Sequence, residues 1–222
     1  SFIYSLTYFQ ETLDQKKLQP IQPKAIAKNY LYSIKHPVFI GYTTLNCITA
    51  AIIYSYFADA PFILRKLRLS AAAIGYLIAS TGFGIIIGNF ICNKALDFLS
   101  FHVLSATAII IITLGTIYIF ATTYNGTQES SEVIIPFFVI SIGIGTLLPL
   151  LVSKVSHTFE SVEGSALGLY NFFRAIACAA TTRYVGEFTA QDPYNMSIYI
   201  TLFVILLITS SNFLYFFYQP KK

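Results

Sequence analysis

Arg174 stands near the middle of Ser165 to Gly186, a stretch whose only charges are Arg174 and Arg183. If that stretch is a membrane helix, a rise of about 1.5 Å per residue puts Arg174 roughly 13 Å from Ser165, near the bilayer midplane. A guanidinium there costs at least about 2.5 kcal/mol and must face protein or water. Two chemistries suit it. It lines a cavity and meets a substrate or an acid from outside the chain, or it satisfies carbonyls and polar side chains between helices. The ten acidic residues all fall toward the ends of apolar runs, so none reaches its depth. The same count brings Asn46, Thr81 (with Ser80), Ser141 and Asn171 to mid-depth. An amide or hydroxyl at that level either contacts a small molecule or hydrogen-bonds between helices, and Thr113, at similar depth, shows how common the second role is.

Other chemistries lack their residues. Hydrolysis within a bilayer needs a serine with an intramembrane histidine, or an HExxH zinc site. His36, His102 and His157 fall at the edges of apolar runs, and neither HExxH nor Gly-x-Ser-x-Gly occurs. Cys47, Cys92 and Cys178 are odd in number and isolated from one another, which suits packing better than disulfides or metal. No cofactor motif is present; Gly84-Ile85-Ile86-Ile87-Gly88 is a GxxxG helix-packing surface and not a nucleotide loop.

The elements that must hold these residues follow from composition. The chain has 222 residues, 55% hydrophobic and only 11% charged, with a mean hydropathy of +0.66. Soluble domains carry about 25% charged residues, so this chain belongs in a lipid bilayer. A net charge of +4 without a basic stripe excludes nucleic-acid binding. Six runs are long enough to cross about 30 Å of hydrocarbon: Val38 to Phe57, Ala71 to Ile91, Val103 to Thr123, Val133 to Ser153, Ser165 to Gly186 and Met196 to Tyr218. They lack the alternation of barrel strands, which leaves helices. The fold class is all-α, a polytopic membrane protein with a bundle of six transmembrane helices.

Lysine and arginine orient the bundle. Nine (Lys16, Lys17, Lys24, Lys28, Lys35, Lys94, Lys154, Lys221, Lys222) fall on one side and three (Arg65, Lys66, Arg68) on the other, which predicts cytoplasmic termini. Residues 1–9, SFIYSLTYF, read as the end of a preceding transmembrane helix. Residues 10–36 read as a basic cytoplasmic connector broken by Pro20 and Pro23, residues 37–218 as the bundle, and 219–222 as a cytoplasmic tail. The only methionine is Met196, and the chain reads as a fragment.

Three local sequences carry a family resemblance. Gln10-Glu11-Thr12-Leu13 resembles the Pro-Glu-Thr-Leu that ends the sixth helix of many major facilitator superfamily transporters. Asp59-Ala60-Pro61-Phe62-Ile63-Leu64 followed by Leu69-Ser70 is similar to the stretch between helices seven and eight of the bicyclomycin-resistance type (Bcr/CflA) of drug exporter. Glu163-Gly164-Ser165-Ala166-Leu167 resembles the opening of helix eleven in that group. The resemblance covers nearly the whole chain and implies one half, helices seven to twelve, of a twelve-helix exporter of drug-like molecules in a bacterial inner membrane. It further implies the proton as coupling ion and an N-terminal six-helix half that completes the site. Arg174, Asn46, Asn171, Ser141 and Thr81 would then lie on the helices that line the C-terminal wall of the cavity. Between helices eight and nine, Asn93 to His102 keeps only Lys94, Asp97 and His102 where relatives carry an arginine-rich turn, so a gating role does not carry over. The alternatives are a non-transporting remnant of a split gene, or a subunit that assembles with a separately encoded half.

Overall fold

The computed structural model describes residues 22–127, 129–188 and 192–217, and no strand occurs among them. The sequence readings for residues 1–9, for Gln10 to Leu13, for Pro20 and for the 219–222 tail lie outside the described residues. Seven helices follow in order: α1 (Pro23–Lys35), α2 (Pro37–Lys66), α3 (Ala71–Ala95), α4 (Phe101–Tyr124), α5 (Ser131–Thr158), α6 (Glu163–Phe188) and α7 (Pro193–Phe217), with a 3-10 turn, Glu160–Val162, before α6.

Local chemistry sets several of these ends. Pro23 and Pro37 occupy first-turn positions, where the missing N–H has no intrahelical partner to lose. Ser70 caps α3 by accepting from the Ala73 amide at 3.2 Å, and Ser100 caps α4 by accepting from Val103 at 3.4 Å. Pro23 therefore starts a helix within the stretch read as a broken connector. Pro61 sits inside α2, which runs on through Asp59 to Lys66, well past the apolar run that ends at Phe57.

Helices α2, α3, α4, α5 and α7 are long and apolar enough to cross a membrane. At 26 residues α6 is long enough too, but Arg174, Arg183, Asn171 and its threonines dilute its hydropathy. Large apolar side chains in the middle of these helices point outward: Phe83 and Phe90 are each 63% exposed and Ile110 58%. Water would penalise such a surface, whereas hydrocarbon accepts it. The chain is an all-α polytopic membrane protein.

α2 and α5 form the buried centre. α2 packs on α6 and α7, α5 packs on α3 and α4, α4 meets α7, and α2 meets α5. Exchanging α2 with α5, α3 with α6 and α4 with α7 leaves that set of contacts unchanged. This is the pattern of two inverted three-helix repeats. Tyr56 of α2 stacks on Phe137 of α5 with ring centroids 3.7 Å apart.

Small residues let α3 and α5 touch backbone to backbone. A Cβ on Gly84 would lie 2.8 Å from the Ser141 Cβ, one on Gly88 would strike the Ile142 carbonyl oxygen, and one on Gly145 would strike the Ile85 carbonyl oxygen. The Thr146 hydroxyl donates to the Gly88 carbonyl at 3.2 Å across the same contact. The GxxxG surface expected from the sequence is this contact.

Candidate functional site

On α6, residues 171, 174, 178 and 182 follow one another at helical spacing along one face. Together with Tyr54 of α2 they line an open groove of about 660 Å³. Arg174 is half-buried in its wall and Asn171 is exposed. The guanidinium acts electrostatically on Cys47, Tyr170 and Cys178, and the Cys178 side chain lies against both Tyr54 and Arg174. Among the described residues no carboxylate forms an ion pair with Arg174. Arg183, at the far end of the groove, pairs with Glu187 one turn on at 3.6 Å; both side chains are largely exposed, so the pair adds little stability.

The other candidates lie in two further places. Asn46 is completely buried in α2, and neither its amide nitrogen nor its carbonyl oxygen has a hydrogen-bond partner. The Thr43 hydroxyl, one turn earlier, and the Tyr170 hydroxyl on α6 are likewise buried without partners. A buried polar group left unsatisfied costs about 1–3 kcal/mol, so each of these three groups is an expensive feature of α2 or α6. Ser141 and Thr81 sit where α3 and α5 meet. Both are about 1% exposed, and both donate within their own helices, Ser141 to the Phe137 carbonyl at 2.8 Å and Thr81 to the Ile78 carbonyl at 2.6 Å. Their hydroxyl protons are committed.

The structure thus brings Arg174 and Asn171 together, sets Asn46 apart inside the bundle, and places Ser141 and Thr81 in a helix contact. Sequence reading assigned Cys178 to packing and did not single out Tyr54 or Tyr170. Helical spacing supplies a signal for Cys178, four residues beyond Arg174, whereas the approach of Tyr54 from α2 has none. Among the described residues no three of His, Cys, Asp and Glu gather as a metal site requires. What the groove offers is one cation at mid-depth, an amide, a phenol and a thiol. That set can orient an acceptor-bearing molecule by charge-assisted hydrogen bonds.

The pairing of α3 and α6 bears on this groove. Each packs mainly on one central helix, and each leaves a broad outer face without a helix against it. On α6 that face carries Asn171, Ala175, Ala179 and Thr182, and on α3 it carries Ala72, Tyr76, Ala79 and Phe83. A family model described as Major Facilitator Superfamily matches residues 1–182. No match is found among curated proteins.

Proposed function

The chain belongs to the major facilitator superfamily, a family of membrane transporters, and from that premise we propose that it forms the C-terminal wall of a multidrug exporter's substrate path. The path is completed by a second six-helix unit packed against the open faces of α3 and α6. The exporter is secondary-active, exchanges a drug-like molecule for protons, and lies in a bacterial inner membrane with its termini cytoplasmic. The resemblance of Asp59 to Leu64 and of Glu163 to Leu167 to bicyclomycin-resistance exporters supports the substrate class.

The observation that carries the reading is the groove on α6. It holds a half-buried cation at mid-depth, unpaired by any carboxylate among the described residues. An intramembrane charge kept open to a cavity is a substrate or coupling element by default. Arg174 and Asn171 bind substrate directly in this reading. Asn46 contributes from its buried position next to Cys47, while Thr81 and Ser141 lie in the α3–α5 contact behind the site. Asp59, buried in α2, lies beyond the apolar run and away from the midplane, so the coupling carboxylate belongs to the second unit.

The test is efflux from everted membrane vesicles containing this chain together with a six-helix N-terminal unit. A fluorescent anionic or zwitterionic drug should accumulate when an inward-acid proton gradient is imposed, and a protonophore should abolish it. Accumulation indifferent to the gradient would remove the antiport, and efflux by this chain alone would remove the second unit.

A further inference from the structure

A separate cavity of about 390 Å³ lies at the Pro37 end of the bundle, between α2, α4, α5 and α7. Its walls are apolar for the larger part, but Tyr42, His102, Ser211, Asn212 and Tyr215 bring polar groups to it. The first turn of α4 borders it, so backbone N–H groups and the positive end of the helix dipole face that region, and no acidic residue sits in that turn. Leu147 and Leu151 of α5 line the cavity. Lys154 continues their helical face toward the Pro37 end, with its ammonium 4.6 Å from the ring centroid of Phe101, another wall residue. Lys154 is half-buried and meets no carboxylate among the described residues. The His102 ring is held 5.5 Å from that of Tyr215. The charge these groups favour is negative.

A second chamber adjoins the first. Leu214 belongs to the walls of both, and the second, of about 560 Å³, opens in the seam between α2 and α7, where Ile40, Gly41, Thr44 and Phe213 line it. Leu214 fills the space a Cβ on Gly41 would take, which brings the helices close behind the seam. The chamber has the form of a shallow apolar slot facing lipid. A cavity with a cation at its rim, set beside an apolar slot at the same membrane edge with only Leu214 between them, matches one amphipathic molecule that straddles that side chain. We propose that this end of the bundle binds an anionic phospholipid, its phosphodiester held by Lys154, His102 and the start of α4, and one acyl chain laid along the α2–α7 seam. The Pro37 end also carries Lys24, Lys28, Lys35 and Lys94, which favours an anionic leaflet around it. The inference does not depend on the transport reading.

The test uses the full chain in phosphatidylcholine nanodiscs with and without phosphatidylglycerol, read by native mass spectrometry for retained lipid and by thermal melting. Phosphatidylglycerol should be retained and should raise Tm. Lys154→Gln should lower its affinity about fivefold, the equivalent of ~1 kcal/mol for one basic residue at an anionic surface. Thr44→Phe, which fills the slot from an exposed position, should weaken retention as well. Arg65→Gln, which removes a cation from the opposite end, should leave retention unchanged. Melting in pure phosphatidylcholine shows that each variant is folded, and Thr44→Phe keeps the test decisive if Lys154→Gln is not. Equal losses in Arg65→Gln and Lys154→Gln would overturn the site in favour of diffuse charge attraction. Full retention in folded Lys154→Gln or in Thr44→Phe would overturn it too. Inorganic phosphate raising Tm in phosphatidylcholine as much as phosphatidylglycerol does would make the ligand a soluble anion and overturn the lipid.

Discussion

Gly88→Ala drives a methyl group into the contact between α3 and α5. A Cβ at this position lies 2.8 Å from the Thr146 nitrogen and 2.9 Å from the Gly145 carbonyl carbon, and it overlaps the Ile142 carbonyl oxygen. All three are backbone atoms of α5, so no rotamer change makes room and the helices must separate. Overpacking of this kind costs about 1–3 kcal/mol. Separation also stretches the Thr146 to Gly88 hydrogen bond, and such interhelical bonds are worth about 0.6 kcal/mol in membranes. Helix propensity acts the other way, favouring alanine over glycine by about 0.8–1.0 kcal/mol. Gly82→Ala on the same helix isolates that effect, because a Cβ there meets nothing within 4 Å. Gly82→Ala should be neutral or slightly stabilising, and Gly88→Ala should fall below it by about 2–4 kcal/mol once these contributions are combined. Unfolding in mixed micelles of mild detergent and sodium dodecyl sulfate, followed by circular dichroism, measures the difference. Equal midpoints for the two variants would refute the backbone-to-backbone packing of α3 on α5.

Three further outcomes follow from the site and the topology. Arg174→Ala should insert and fold yet lose transport per folded molecule when paired with its second unit, and Arg174→Lys should recover it only in part, since an ammonium lacks the planar two-donor fork; normal turnover in a destabilised alanine variant would assign Arg174 to helix packing. Asn46→Ala, which removes a buried amide without partners and adds no bulk, should leave stability unchanged or raise it by about 1 kcal/mol while lowering transport, and a drop of several kcal/mol on unfolding would show that the amide is satisfied in the native protein. A cysteine at Asn125 should react with an impermeant thiol reagent applied from outside cells and one at Lys28 should not; the reverse labelling would invert the assigned orientation.

The bundle was largely legible because lipid imposes a length: a run of uncharged residues from Val103 to Thr123 has few options besides the helix found at Phe101–Tyr124. Helix ends were less legible. The apolar run ends at Phe57, yet the helix continues to Lys66, because a helix already a span long carries a proline and a polar last turn at modest cost. Pro23 breaks the chain by residue type, but its position at the first turn makes it a starter. At the candidate site, depth along a helix was readable from residue count, but rotation about the axis was not. Asn46 and Arg174 share a level, and only packing reveals that one faces inward while the other borders a groove. Nor does the sequence place Cys47 on α2 within reach of Arg174, since more than a hundred residues separate them.

The exchange pattern of the contacts also governs how the chain is made. α2 emerges first among the long helices, with Asn46 and Asp59 on its buried side, but its principal partners α6 and α7 are the last to be synthesised. Its neighbours α3 and α4 dock on α5. From Lys66 to Glu163 the ribosome adds nearly a hundred residues, which takes about 5–20 s at usual elongation rates. Through that interval α2 lacks its cover from α6 and α7, while α3, α4 and α5 can already assemble. The contact order therefore lets α3, α4 and α5 pack early, with α5 the first native partner α2 can meet and α6 and α7 completing its cover only afterwards.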